Sequence, residues 1–395
     1  MKRRYALSAY LAGAMTARTG DDMSGPALLL AGLALTGSAT QASTLLAAVT
    51  GAAAVGGPVL GMLLDRAERP GRLLSLALVL YAAGLMGVLA GLGTLPFGVT
   101  VLVAVLTGLS APALSGGWTA QLPRVAPGAR LPRANTLDAM TYGSAGLAGP
   151  ALAGGVAEAV GASAAVAVSV VLIGLAVPAA WRLPERGEPG AGIPAGQGLV
   201  AGVRCIVGNP RLARATVSSV VSCAGQGMLT ACLPLLGERF LGGAGRGALL
   251  LSCTAVTALA ANAVLAIRPR TLTPETAIRA GALLQAAALA SAATGQPGTV
   301  VAAALLAGVG EGPQLTALFA IRHREAPERL RGQVSTTGAS AKITGFAVGA
   351  AAAGPLAVWS LPAALLSAAA LQVVAAWTMT RSGRRDTRAT RSAVS

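Results

Sequence analysis

The sequence predicts an all-α membrane protein of twelve transmembrane helices arranged as two pseudo-symmetric six-helix halves. Three observations carry this prediction. First, 54% of the 395 residues are hydrophobic and only 11% are charged, against about 25% charged in an ordinary soluble domain, so polar groups are too few to cover a soluble surface. Second, the apolar residues come in long uncharged runs such as Leu73–Thr100 and Gly143–Ala157, and a bilayer core roughly 30 Å thick is crossed by about 20 apolar residues per helix. The alternating segments of about ten residues that a transmembrane barrel needs are missing. Third, basic residues punctuate the runs on one side. Of 30 lysines and arginines, only Arg18, Arg239, Arg246 and Lys342 do not lie in or beside the segments before span one, after each even span or after span twelve. Cytoplasmic loops carry such an excess, so both termini are expected in the cytoplasm.

The spans fall at about 6–36, 40–64, 71–93, 95–121, 134–159 and 161–181, then 212–237, 246–267, 276–294, 297–321, 333–355 and 360–380. The expected layout is an N-terminal half (1–181), a cytoplasmic linker (182–210) rich in Pro and Gly, a C-terminal half (211–380) and a basic tail (381–395). "MKRRYALSAYLAGAMTA" imitates a signal peptide, but the loop charges alternate only if it stays as helix one. The net charge of +16 does not indicate nucleic acid, because the basic residues sit in loops rather than on one stripe. Trp118, Trp181 and Trp377 are placed at cytoplasmic span ends and Trp359 at an outer end, where amphipathic rings settle. Cys205, Cys223, Cys232 and Cys253 form no CxxC pair and read as small packing residues. His323, the only histidine, is assigned to a basic loop, and no metal site is expected.

Along the chain, span one carries "MTARTGDDMSGP" (15–26). A charge at mid-bilayer costs about 2.5–3.5 kcal/mol on insertion scales, so Arg18, Asp21 and Asp22 must face a cavity or each other. Arg18 stands three residues before Asp21 and four before Asp22, within helical reach of either. One arginine for two acids leaves a spare carboxylate for proton coupling. Pro26 frees the Asp22 carbonyl at the same depth. Tyr81 in span three and Tyr142 in span five are candidates to line a substrate cavity. Asn135 and Asp138, near the start of span five, read as caps, and Gly149-Pro150 should bend that helix. Gln226, Asn262, Gln285 and Gln314 are further cavity candidates. Glu311 and Lys342, each about 14 Å deep by helical rise, form a candidate ion pair on consecutive spans.

The halves echo one another. "GLSAP" (108–112) and "RVAPGAR" (124–130) are matched 200 positions later by "GVGEGP" (308–313) and "REAPER" (324–329), with Gly108, Arg124 and Pro127 repeated. "GMLLDRAERPGR" (61–72) resembles the signature of the major facilitator superfamily between helices two and three, matching at Gly61, Asp65, Arg66 and Arg69. "TGSATQAS" (36–43) and "RANTLDAMTYGSAGLAGPALAGG" (133–155) resemble the multidrug and siderophore exporter branch, Gly149 and Pro150 matching its antiporter motif. The chain departs from that pattern in three places. "IRPRTLTPETAIR" (267–279) lacks the Gly-Asp-Arg of the repeated signature. Span four has Ala104, Thr107 and Gly108 where drug antiporters carry an arginine motif. Ala153 and Gly154 stand where the antiporter motif has two glycines.

The resemblance implies a cytoplasmic gate in which Gly61 permits close helix approach and Asp65 accepts hydrogen bonds from a facing helix N-terminus and pairs with Arg66 or Arg69. It also implies a secondary transporter in a bacterial inner (plasma) membrane, a monomer exporting a small amphipathic molecule (drug, siderophore or secondary metabolite) by proton antiport with alternating access. Its partners are then that small molecule and the lipid bilayer, with no nucleic acid and no cofactor beyond the proton gradient, because no GxxxxGK[ST] loop is present. A nutrient importer of the same fold is the alternative, and a membrane-embedded enzyme the rival of a different class. No HExxH or GxSxG cluster supports the enzyme.

Overall fold

The computed structural model describes residues 2–185, 198–242, 247–267 and 272–380. Most of the Pro/Gly-rich linker, residues 243–246 and 268–271, and the basic tail lie outside the described residues. Among the described residues the helices are α1 (Lys2–Thr36), α2 (Ala39–Arg66), α3 (Pro70–Gly91), α4 (Phe97–Gly108), α5 (Gly116–Val125), α6 (Leu131–Ala159), α7 (Ala162–Trp181), α8 (Gly198–Gly208), α9 (Pro210–Leu241), α10 (Gly247–Ile267), α11 (Pro274–Ala292), α12 (Pro297–Glu325), α13 (Arg331–Trp359) and α14 (Leu361–Thr378), and no strand forms.

Several starts are written locally. Ser38, Asn209, Thr273 and Ser360 cap α2, α9, α11 and α14, each side chain accepting a first-turn N–H. Proline at the first turn of α9, α11 and α14 supplies helical φ where no N–H is needed.

Each expected span overlaps a described helix, with two departures in number. Span four is broken into α4 and α5 by a 3₁₀ turn at Ala111–Ala113. Pro112 and the glycines at 108, 116 and 117 interrupt an otherwise apolar run, so hydropathy saw one segment where the backbone makes two. The expected linker contains α8, an additional helix. Eight helical stretches are long and apolar enough to cross a membrane: α2, α3, α4 with α5, α7, α9, α10, α12 and α14. α1, α6, α11 and α13 contain no such stretch among the described residues, and the first two carry the charged cluster described below.

The chain divides into two compact units, Met1–Cys205 with Ala326–Ile343, and Ile206–Glu325 with Thr344–Ser395. In the first, α1 packs on α7, α6 and α2, α2 packs on α4, and α3 packs on α7. In the second, α9 packs on α14 and α10, α10 on α12, and α11 on α14. The packing thus repeats along with the sequence. Gly108 brings α4 against the Val49 carbonyl of α2, and Gly308 brings α12 against the Thr254 carbonyl of α10, where in each case a Cβ would strike backbone.

Two placements differ from the sequence expectation. Trp118 is not at an interface; it is fully buried and meets Tyr10 edge-to-face with centroids 5.5 Å apart. Trp181, Trp359 and Trp377 are exposed. His323 lies not in a loop but in the last turn of α12, and it is buried.

Candidate functional site: a buried charge cluster on α1 and a latch on α13

Arg18 sits in the middle of α1 and is 2% exposed. Its partner is neither Asp21 nor Asp22, as helical spacing suggested, but Asp138 of α6, at 2.8 Å and fully buried. A second guanidinium nitrogen donates to Thr119 of α5 at 3.1 Å, Thr141 of α6 accepts a further bond, and the Tyr142 ring lies 3.7 Å beneath the cation. Asp138 also accepts from the Tyr10 hydroxyl at 2.9 Å and from Thr119 at 2.9 Å. The carboxylate is therefore bound by three donors from α1 and α5 and closes a desolvated ion pair. Asn135 and Asp138 are not caps, because α6 begins at Leu131 and both lie beyond its first turn, buried.

With Arg18 engaged elsewhere, both neighbouring acids lack a cationic partner among the described residues. Asp21, half-buried, accepts a hydrogen bond from the Tyr81 hydroxyl of α3 at 2.8 Å, and Ser24 lies 3.0 Å from the same hydroxyl. Tyr81 is 1% exposed, so it fixes Asp21 rather than lining an open cavity. Tyr142 likewise serves as the platform under Arg18. Asp22 is exposed. Gly149 of α6 packs against its backbone so closely that a Cβ would lie 2.8 Å from the Asp22 carbonyl carbon. The Gly149-Pro150 step therefore seats α6 on α1 at the carboxylate pair, with Pro150 inside a continuous helix. Pro26 lies within α1 four residues after Asp22.

The signature-like stretch builds a second arrangement. The first N–H groups of any helix lack intrahelical partners. At the start of α13, those of Gly332 and Gln333 donate to the two carboxylate oxygens of Asp65, both at 2.7 Å. The negative charge also opposes the positive end of the helix. Farther along α13, Thr336 donates to Gly57 O and Ser340 to Ala53 O, each at 2.6 Å. Gly61 lets the helices meet, since a Cβ there would strike Thr336 and the backbone of Gln333. Arg66 is exposed at the end of α2. Arg69 pairs with Glu185 at 2.8 Å, an exposed contact.

In the second unit, Arg324 bridges Glu275 at 2.5 Å and Glu325 at 2.8 Å, tying the start of α11 to the end of α12. Burial pushes the Glu275 carboxyl up, but the hydrogen bonds from Arg324 and the backbone, together with the Arg324 and Arg211 charges, outweigh this and hold it below the usual carboxylate range. Gln226, Gln285 and Gln314, expected separately, are joined: Gln226 donates to Gln285 at 3.1 Å and Gln285 to Gln314 at 2.5 Å. Gln372 of α14 and Ser222 complete the group through a 2.8 Å bond, and the sequence reading missed both. A lone glutamine in the apolar run "LLSAAALQVVAAW" was the available signal. Asn262 stands apart, accepting from Thr316 at 3.0 Å. Glu311, in the second unit, and Lys342, in the first, are each half-buried on their own helices.

The geometry agrees with comparisons to known proteins. A sequence model of the Major Facilitator Superfamily matches residues 10–350, whereas a comparison with curated protein sequences gives no match. The fold is similar to that of the human organic anion transporter MFSD10 (TETRAN), with 14% identity, TM-score 0.78, and coverage of 96% of this chain and 100% of that one. It is similar to a bacterial homologue of the iron transporter ferroportin (18%, TM-score 0.76, 95% and 99% covered). It is also similar to the fucose:proton symporter FucP of E. coli (14%, TM-score 0.75, 96% and 98% covered). This chain belongs to the Major Facilitator Superfamily and has the fold of a multi-pass membrane transporter.

Proposed function

We propose that the chain is a monomeric secondary active transporter of the plasma membrane that exports a small amphipathic molecule, a drug, siderophore or secondary metabolite, by proton antiport with alternating access. The observation that carries this reading is the arrangement on α1. Arg18 is committed to Asp138, so Asp21 and Asp22 are carboxylates with no ion-pair partner among the described residues, held beside a proline-freed carbonyl in a helix that otherwise buries apolar surface. Such a group binds and releases a proton at low cost to the fold, while a salt-bridged one does not. Asp22, exposed and free of the Tyr81 hydrogen bond, is assigned as the proton carrier, and Asp21 as its tethered neighbour. The repeated packing of α1–α4 and α9–α12 and the repeated sequence support twelve spans in two duplicated halves, with both termini cytoplasmic by the arginine distribution. In this reading Asp65 latches α13 in one state of the cycle and releases it in another, and Glu311 and Lys342 serve as further charges along the path.

Import of a nutrient is the second reading, favoured by the likeness to a fucose:proton symporter. The direction of the pH gradient separates the two. With the vesicle interior made acidic, an antiporter is expected to accumulate a permanently charged amphipathic dye, as protons leave in exchange. Accumulation only when the exterior is made acidic shows proton symport and hence import.

A further inference from the structure

α8 is 11 residues long, about 16 Å at 1.5 Å per residue, and so cannot cross a bilayer core of roughly 30 Å. Its sequence, GLVAGVRCIVG, is apolar apart from one charge, Arg204. A surface helix in water buries its apolar stripe and turns polar residues outward. α8 does the reverse. Val200, Val203 and Val207 are 55%, 41% and 71% exposed, and Arg204 is exposed beside them. At 3.6 residues per turn the three valines share an arc of about 60°, and Arg204 lies about 40° beyond its edge.

The far side of the helix fixes this orientation and its depth. Gly202 is buried, and a Cβ there would lie 2.6 Å from the Cβ of Gln333. Gln333 stands in the first turn of α13 and donates to Asp65, one residue before the end of α2. Thr44–Arg66 is long and apolar enough to cross a membrane, so α8 lies level with the end of a membrane-crossing stretch. Arg66, Arg69 and Arg72 mark that end as the cytoplasmic one. In the chain, Asn209 alone separates α8 from α9, whose membrane-crossing stretch starts at Pro210.

The charges select what covers the valines. Arg204 makes no ion pair among the described residues. Arg329, also exposed, is near enough for its charge to oppose the rise that burial causes in the Cys205 thiol. The cytoplasmic leaflet carries anionic headgroups that attract such groups. A second copy of the chain fits less well, because three valines fall far short of the about 800 Å² per partner of a standard protein interface.

We propose that α8 is an in-plane membrane anchor: Val200, Val203 and Val207 enter the headgroup–acyl boundary of the cytoplasmic leaflet, and Arg204 meets an anionic lipid phosphate. Through Gly202 the first turn of α13 is then tied to the bilayer surface. The anchor needs only helices that cross a membrane and does not depend on the substrate or on proton coupling.

The test uses the full chain, one copy per nanodisc, with the four native cysteines replaced by alanine. A fluorophore is attached at Val203→Cys, at Val207→Cys or, as the water-facing reference, at Pro127→Cys in the exposed turn between α5 and α6. The nanodiscs are phosphatidylcholine with or without phosphatidylglycerol. A nitroxide carried at the top of the lipid acyl chain is expected to quench the α8 labels at least about threefold more than the reference, and aqueous iodide at least about threefold less. Phosphatidylglycerol should raise the lipid-borne quenching, and Arg204→Glu should abolish the rise. Two label positions keep the face readable where one substitution does not fold. Iodide quenching of the α8 labels equal to that of the reference overturns the anchor. Protection from iodide without lipid-borne quenching also overturns it, by showing that protein covers the face. Lipid-borne quenching that neither phosphatidylglycerol nor Arg204→Glu changes overturns the anionic-phosphate assignment. With no gradient or substrate present, a failure here leaves proton coupling on α1 standing.

Discussion

Asp138→Ala is expected to destabilise the protein by about 3–5 kcal/mol, the cost of stranding one member of a buried ion pair. The whole cost falls on a single locus. Arg18 is 2% exposed and Asp138 fully buried, so water cannot replace the lost carboxylate, and the Tyr10 and Thr119 hydroxyls lose their acceptor as well. Arg18→Met combined with Asp138→Leu is expected to recover most of the loss, because apolar replacement of a complete buried pair is often close to neutral. Thermal unfolding in detergent compares the single and double variants. A single variant as stable as the native chain would show that the pair does not brace α1 against α6.

Asp65→Asn is expected to weaken the α2–α13 latch by about 2–4 kcal/mol. The amide keeps one acceptor, loses the charge that faces the helix end, and turns an N–H donor toward the N–H of Gly332 or Gln333. The readout is maleimide labelling of Ser340→Cys, a position 2% exposed on the same α13 face, in a background with the four native cysteines replaced by alanine. Labelling in the D65N background should be faster by about tenfold or more, since each 1.4 kcal/mol is a factor of ten in the open population. An unchanged rate would show that Asp65 is not what holds α13.

The helical architecture was legible in the chain because hydropathy and charge act over whole segments. Twenty uncharged apolar residues leave few alternatives, and each expected span overlaps a helix. What composition could not show was local. α8 lies at the end of a stretch whose prolines and glycines read as linker, and the break between α4 and α5 is hidden in an apolar run. The site was legible by residue more than by partner. Arg18, Asp21 and Asp22 stand out as charges in an apolar helix, but spacing within a helix reveals only neighbours three or four residues away. The residue that binds Arg18 is 120 positions distant. Asp138 was read as a cap because the span was started at 134, only four residues before it. The helix begins at Leu131, which carries Asp138 inward. Asp65 could be placed against a helix N-terminus from its motif, whereas the convergence of four glutamines from four helices left no mark in any one of them.

The central claim is that Asp22 carries the coupled proton while the Arg18–Asp138 pair stays fixed. It is tested most directly by trapping a pH-sensitive dye in proteoliposomes of the native chain and of the Asp21→Asn and Asp22→Asn variants. A panel of amphipathic drugs and siderophores then triggers proton movement. The native chain should move protons when substrate is added, Asp22→Asn should abolish that movement while remaining folded, and Asp21→Asn should reduce it less. Native proton movement in both variants would contradict the account.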